Sequence, residues 1–349
     1  MDEKVKLTQF SKGGGCGCKI APSVLQQIIQ KEDYSSFTNL LVGNESADDA
    51  AVYQINNETS VISTTDFFLP IVDDAFDFGR VAAANAISDV YAMGGKPLMA
   101  IAILGWPLDK IPAEIAQQVL AGGRSICKEA NIPLAGGHTI DSADPIFGLS
   151  VTGLVNTKNL KRNNTAQEND LLFLTKPIGT GIFSTALKRG LLQDEHYSIL
   201  IDHLTSLNSL GEKLGELEYV HAMTDVTGFG LLGHLIEMAE GCNNSIEINY
   251  NSIKKMDGLD EYLKQRTLPD ATFRNWNSYS NKVQFEKGVN VKEAFNLLPD
   301  PQTNGGLLIA IPPANIDELK KVFKENNLEG FSEPIGRVVP KTEKTILVK

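Results

Sequence analysis

Ser60-Val61-Ile62-Ser63-Thr64-Thr65-Asp66 is a short apolar run ending in hydroxyls and a carboxylate. Ten residues later Phe76 to Met93 reads as a helix, closed by Gly94-Gly95 in the position glycine favours after a last helical turn. A strand followed by a loop and a helix points to layered α/β structure. The unit recurs further on. Met223-Thr224-Asp225 ends another short strand, and Gly230 to Ala239 reads as the helix after it. Identity between the two units is too weak to establish a repeat.

Outward from the first unit, Leu40-Leu41-Val42, Ala50 to Tyr53 and Pro97 to Leu104 read as strands, and Pro112 to Ala130 as a helix with proline at its start. Pro22 to Gln30 reads as a short helix. Leu134 to His138 and Ile146 to Val155 read as strands around a Gly-Gly turn. The polar stretch 156–169 interrupts the pattern and is the expected domain boundary. Beyond it, Leu171 to Thr175, Ser245 to Tyr250 and Leu307 to Ile311 read as strands. Thr185 to Leu192, His196 to Leu217, Leu259 to Arg266 and Ile316 to Asn326 read as helices. Phe273 to Phe285 reads as irregular, and two short strands finish the chain.

Bulk composition limits the function classes. The 349 residues allow two domains and a sizeable core, and 42% hydrophobic residues mark a globular chain. A net charge of −11 without a Lys/Arg block argues against nucleic acid or an anionic membrane as partner. Met1-Asp2-Glu3-Lys4 is charged with no apolar run behind it, and no run is long enough to span a bilayer, so the expectation is a cytoplasmic protein without a secretory leader. Four cysteines in such a chain do not suggest a disulfide framework.

The chemistry-bearing groups are of three kinds. Asp48, Asp49, Asp66, Asp89 and Asp225 each lie at or near the end of an apolar element, and Asn85 shares a helix face with Asp89. Were they to converge, two charges 4 Å apart would repel by roughly 4 kcal/mol at an effective dielectric near 20. Divalent cations relieve this by bridging carboxylate and phosphate oxygens, and oxygen ligands without a His/Cys set favour Mg²⁺ over Zn²⁺. The alternative is that each is a helix cap or turn residue. Second, turns such as Gly136-Gly137-His138-Thr139, Thr227-Gly228-Phe229-Gly230 and Gln302-Thr303-Asn304-Gly305-Gly306 could present backbone N–H groups to phosphate, or simply turn the chain. Neither a Walker P-loop nor a Rossmann fingerprint is present. Third, Ser11-Lys12-Gly13-Gly14-Gly15-Cys16-Gly17-Cys18-Lys19 puts two thiols and an amine on a glycine-rich strip that reads as a lid. A zinc site wants four ligands, so a reactive thiol, favoured as thiolate beside Lys19, is the better reading of Cys16. Cys127 reads as core and Cys242 as inert.

Taken together, Gly15-Cys16-Gly17-Cys18-Lys19, Val61 to Asp66, Asn85-Ala86-Ile87-Ser88-Asp89, Ala135-Gly136-Gly137-His138, Thr224 to Gly230 and Asp300 to Gly306 resemble the selenophosphate synthetase (selenide, water dikinase) family, nearly end to end and in order. The resemblance implies an α/β (α+β) chain of two domains with the aminoimidazole ribonucleotide synthetase-like fold. It implies a flexible segment 1–48, an ATP/Mg-binding and dimerisation domain 49–157 whose sheet forms a barrel across a homodimer, and a C-terminal α/β domain 158–349. It implies the reaction of ATP, hydrogen selenide and water to selenophosphate, AMP and phosphate, with Mg²⁺ and a monovalent cation such as K⁺. Residue by residue, it implies that Cys16 and Lys19 are catalytic and that Asp49, Asp89 and Asp225 hold Mg²⁺. Lys19, Ser46, Ala47, Asp48, Asp66, Asp89, Gly137, His138 and Thr139 then contact the nucleotide. The chain departs from the family at Lys12, where some members have histidine, and at Asn304, where serine is usual. Two rival readings are a thiamine-monophosphate kinase-like enzyme of the same fold, which needs no cysteine, and a thiol-based selenium or metal carrier without turnover.

Overall fold

The computed structural model describes residues 5–11, 13–20, 22–28, 37–44 and 47–349. In chain order the strands are β1 (Leu40–Val42), β2 (Ala51–Gln54), β3 (Thr59–Phe68), β4 (Lys96–Trp106), β5 (Leu134–Asp141), β6 (Ile146–Asn156), β7 (Leu171–Leu174), β8 (Ala222–Asp225), β9 (Ser245–Ile248), β10 (Val283–Phe285), β11 (Leu307–Ile311), β12 (Gly336–Val339) and β13 (Ile346–Val348). The helices are α1 (Pro22–Ile28), α2 (Ala75–Ala92), α3 (Ala113–Glu129), α4 (Thr180–Lys188), α5 (Asp194–Thr205), α6 (Leu210–Gly215), α7 (Gly230–Gly241), α8 (Leu259–Lys264), α9 (Asp270–Tyr279), α10 (Val291–Leu297) and α11 (Ile316–Glu325).

The first six strands form one sheet in the order β1-β2-β3-β6-β4-β5. It is antiparallel except where the edge strand β5 runs parallel to β4. Alternation along β3 and β4 sends Ile62, Thr64, Ala100, Ala102 and Leu104 inward. The opposite face carries Tyr53, Phe67, Met99, Ile101 and Ile140, all exposed. The other seven strands form a second sheet, β10-β13-β9-β12-β7-β11-β8, with Asp225 at the end of its edge strand β8.

α2 joins the halves. Its Asp74 cap accepts from the N–H groups of Phe76 and Asp77. It is alanine-rich and buried on nearly every side, packing on β3, β6 and α3 and also on α5, α6 and β8. Its crossing with α3 needs glycine. A Cβ at Gly79 would lie 1.9 Å from the Val119 carbonyl oxygen, and one at Gly122 would lie 1.9 Å from that of Phe76. A continuous core runs from Phe78 and Phe147 under the first sheet to Leu172, Phe183 and Leu308 in the second half.

Four expected elements differ. The expected turn at Gly136-Gly137 lies inside β5, paired through Gly137 and His138 to Ala102 and Ile103. The single helix expected over His196 to Leu217 is two, α5 and α6. It breaks where the Ser206 carbonyl accepts the buried Lys176 ammonium (2.8 Å) and the Asn304 amide (2.8 Å). The helix expected from Thr185 begins at Thr180, whose N–H and hydroxyl meet the Gln302 side-chain oxygen. The stretch read as irregular contains most of α9 and all of β10, because buried Asn275 ties α9 to the carbonyls of Gly228 and Pro299 (2.9 and 3.0 Å). Each time the deciding partner lies far away in sequence. Among the described residues, no helix is long and apolar enough to cross a membrane.

Candidate active site

β3, α2 and β8 converge where the two sheets meet, and each brings carboxylates. Thr64 and Asp66 alternate onto the α2 side of β3. Asn85, Ser88 and Asp89 are three and four apart and share one stripe of α2. Asp225 arrives at the end of β8, and Asp49 from the loop before β2. Each carboxylate is held by a neutral donor. The Thr64 hydroxyl donates to Asp89 Oδ2, Ser88 to Asp225 Oδ2, Thr224 to Asp49 Oδ1 (2.8 Å), and the Asn85 amide to Asp66. Asn208 braces Ser88 from the second half (2.8 Å).

Among the described residues the cluster is short of cations. Burial pushes the carboxyls of Asp49, Asp89 and Asp225 above the usual range. Asp225, Asp48 and Asp89 push Asp49 further; Asp66 and Asp225 push Asp89 further. Burial also raises Asp48, to about 6, against the N–H groups of Asn163 and Asp49. Asp48 Oδ2, Asp49 Oδ2 and Asp225 Oδ1 are buried without a hydrogen-bond partner among the described residues. Buried polar atoms seldom stay unpaired, so inward-facing hard oxygens fit a divalent cation. Among the described residues no three ligands already form a coordination set, so such an ion would draw them together.

Over this cage lies the glycine-rich strip. Gly15–Cys18 makes one tight 3-10 turn. The Cys16 N–H donates to Thr303 Oγ1 (3.0 Å), and its thiol to Asn85 Oδ1 (3.2 Å). Asn85 Oδ1 also accepts the Asn304 N–H (2.7 Å), so one amide joins strip, α2 and the 302–306 loop. Lys19 Nζ is 3.9 Å from Asp66 Oδ1 and 5.9 Å from the centre of the Phe229 ring. Partial burial opposes its charge, but Asp66 first, then Asp89 and Asp225, outweigh that and raise its pKa.

The thiolate expected of Cys16 is corrected. The side chain is 1% exposed. Burial first, then Asp66, hold the thiol far above its ordinary range, and Lys19 and Thr303 do not compensate. In this closed arrangement Cys16 is a thiol, consistent with its S–H donating to Asn85. Cys127 is buried as expected, and Cys242 is half-buried.

The expected site residues therefore sort into groups. Cys16, Lys19, Asn85, Asp49, Asp66, Asp89 and Asp225 come together. Asp48 and Ala47 shape the loop beside them, both bonded to Asn163. Ser46 lies outside the described residues, as does Lys12. Gly137, His138 and Thr139 are exposed on β5. Asp66, Leu149, Ala102 and Gly137 are in register across the sheet, which puts Gly137 three strands, roughly 14 Å, from the cage. Sequence reading missed Ser88, Thr224, Asn163 and Asn208. Ser88 had a signal, three residues after Asn85 on the same stripe. Asn163 and Asn208 had none, since each lies in a loop far from its partner.

The chain is similar to proteins already known. Family models described as AIR synthase related protein, N-terminal domain and C-terminal domain, match residues 47–155 and 167–349. A "Selenide, water dikinase" of Haemophilus influenzae (strain 86-028NP) is 50% identical over 349 residues, covering 100% of this chain and 99% of its own. One from Escherichia coli O157:H7 is 52% identical over 340 residues, covering 97% and 96%. Among solved structures, thiamine-monophosphate kinase from Stenotrophomonas maltophilia K279a is similar with a TM-score of 0.66 at 20% identity, covering 89% of this chain and 92% of that one. Hydrogenase maturation protein HypE in complex with ATP has a TM-score of 0.62 at 18% identity, covering 98% and 93%. These two likenesses concern the fold.

Proposed function

This chain belongs to the selenide, water dikinase family, within the AIR synthase related proteins, and from that premise we propose how its residues divide the work. It is a selenophosphate synthetase: ATP, hydrogen selenide and water become selenophosphate, AMP and phosphate. As an ATP-using enzyme of this kind it requires Mg²⁺. The observation carrying the assignment of roles is the closure of Cys16 and Lys19 over the cage of Asp49, Asp66, Asp89 and Asp225.

In our reading Asp49, Asp89 and Asp225 hold Mg²⁺, which when bound neutralises phosphate charge. Asp48, Ala47 and Asp66 line the nucleotide side, and Ser46 keeps the nucleotide role that the family resemblance implies. Lys19, tethered near Asp66 before the nucleotide arrives, moves its ammonium onto the γ-phosphoryl group. Catalysis of this type is positioning and charge stabilisation more than covalent chemistry. Selenium attacks the γ-phosphorus, the bond to the β-phosphate oxygen breaks, and ADP is left. Water then attacks the β-phosphorus of ADP, giving AMP and phosphate. The closed strip keeps bulk water from the first step, and the thiol of Cys16 orients selenium while its proton stays shared with Asn85.

We further read the molecule as a cytoplasmic homodimer. The open face of the first sheet, with Phe67, Met99 and Ile101 exposed, suits pairing with a second copy. Gly137, His138 and Thr139 on the edge strand would then serve the partner's nucleotide. Four free thiols suit a reducing compartment. A monovalent cation such as K⁺ belongs to the same proposal and is checked by titrating it at constant ionic strength.

Anaerobic incubation with ATP, Mg²⁺ and selenide tests the assignment. Selenophosphate and AMP are expected in equal amounts. Cys16→Ser should abolish selenophosphate while still binding nucleotide; full selenide-dependent activity in that variant overturns the role of the thiol. ADP as the final nucleotide would favour a kinase acting on a small metabolite, and no ATP consumption a carrier.

A further inference from the structure

A cavity of about 420 Å³ lies against the strip, and none of the cage carboxylates lines it. Its walls come from the strip itself, α4, the start of α9 and the loop at Pro301 to Thr303. Thr303, which receives the Cys16 N–H, and Gly17, the next residue, both line it, so the cavity ends against the backbone that carries the thiol. Its charge is opposite to that of the cage. Among the described residues, Lys188, Arg189 and Arg274 face it against a single carboxylate, Asp270, in a chain of net charge −11. Two of these cations also grip the strip: Lys188 Nζ donates to the Ser11 carbonyl, and Arg274 Nη2 to the Gly17 carbonyl (2.9 Å). Arg189 reaches the Arg266 carbonyl instead (3.0 Å). Cys18 does not line the cavity but is near enough to feel two of its cations. Burial raises its thiol, while Arg274 and Lys188 pull the other way.

The selenium substrate is an anion at neutral pH, since hydrogen selenide is a stronger acid than a thiol. On the nucleotide side it would meet a triphosphate and buried carboxylates, and like charges repel strongly where water is scarce. In the cavity it meets cations and a wall of mixed polar and apolar groups. We propose that this basic cavity is the access and holding site through which the hydrogen selenide monoanion reaches Cys16. Nucleotide and selenium then approach the strip separately, and Lys188 and Arg274 couple occupancy of the cavity to closure through the carbonyls they hold.

This rests on the reading that the chain turns over selenide, and AMP formation by the unaltered enzyme checks that separately. Bromide, a monoanion of similar size and polarisability, is the probe. Crystals of the whole chain soaked in bromide should give an anomalous peak inside the cavity, near Lys188 and Arg274. In solution bromide should compete with selenide and not with ATP. Arg189→Gln, which leaves both carbonyl contacts intact, should lower kcat/KM for selenide roughly threefold and flatten its fall with ionic strength. Its KM for ATP should stay unchanged, as should both parameters in the remote Lys213→Gln control. If bromide is absent from the cavity, competes with ATP, or inhibits Arg189→Gln as strongly as the unaltered enzyme, the cavity is not the selenide portal.

Discussion

At the scale of single residues, the site is a balance between buried carboxylates and the Lys19 ammonium. Lys19 is 3.9 Å from Asp66 with its side chain 37% exposed, so its attraction is partly screened and its position adjustable. Lys19→Ala should therefore reduce kcat far more than ATP affinity, on the order of 10²-fold. Steady-state kinetics check this, and an equal rise in the KM for ATP would make Lys19 a binding residue. Asp225 gives the complementary case. Its Oδ1 has no hydrogen-bond partner among the described residues and burial disfavours its charge, so the metal-free enzyme keeps it at a cost. Asp225→Asn retains an oxygen for the Ser88 hydroxyl and removes a repelling charge. Without Mg²⁺ the variant should melt higher than the unaltered chain, by about 1–2 kcal/mol. It should also lose roughly 10- to 100-fold in Mg²⁺-dependent ATP affinity. Calorimetry with and without the ion reads both effects.

At the scale of elements, what matters is how loops fit against the strip. Gly228, between β8 and α7, packs on Cys16 so closely that a Cβ there would lie 2.4 Å from the Cys16 carbonyl oxygen and 3.0 Å from Lys19 Cδ. Gly228→Ala should push the strip off the cage and leave both sheets intact. Activity should fall about 100-fold, as displacements near 1 Å can cause. Alkylation of Cys16 should quicken with no change in circular dichroism. Asp300 is a second joint, fastening α4 to the 300–306 loop through the Gly181 N–H (3.1 Å) and the Gln302 amide (2.8 Å). Burial pushes its carboxyl up to about 8 in spite of these donors. The folded form binds this proton more tightly than the unfolded chain, where the carboxyl titrates at its ordinary 3.8. Its contribution is fully present below about 3.8 and is lost as pH rises towards 8, at up to ~1.4 kcal/mol per pH unit. Asp300→Asn should remove that slope. Urea titrations at pH 5 and 7.5 would show the unaltered chain losing stability relative to the variant on going to the higher pH.

At the scale of the whole molecule, α2 makes the two halves interdependent, because one face carries Asn85, Ser88 and Asp89 to the site while the others pack on both sheets. The first sheet leaves an apolar face open, and Ile101 lies near its middle, 45% exposed. Ile101→Glu puts a charge there without touching the buried face. Sedimentation should show dimers for the unaltered chain and monomers for the variant, whose activity should fall with the loss of the edge strand supplied by a partner. An unaltered chain that sediments as a monomer would remove the dimer from the proposal.

Local patterns settled the α/β class, the strands β1 to β4, the helices α2, α3 and α7, and the ends of β8 and β11, because alternation and helical periodicity are written in neighbouring residues. They also singled out Cys16, Lys19 and the aspartates, whose residue types at strand and helix ends restrict the chemistry. Tertiary structure alone decided the rest. The protonation of Cys16 follows from burial and from carboxylates fifty to two hundred residues away. The pairing of Ser88 with Asp225, the break at Ser206 and the recruitment of Asn208 likewise depend on distant partners. So does the separation of acidic cage from basic cavity: no window of sequence contains both, and charge acts through space rather than along the chain.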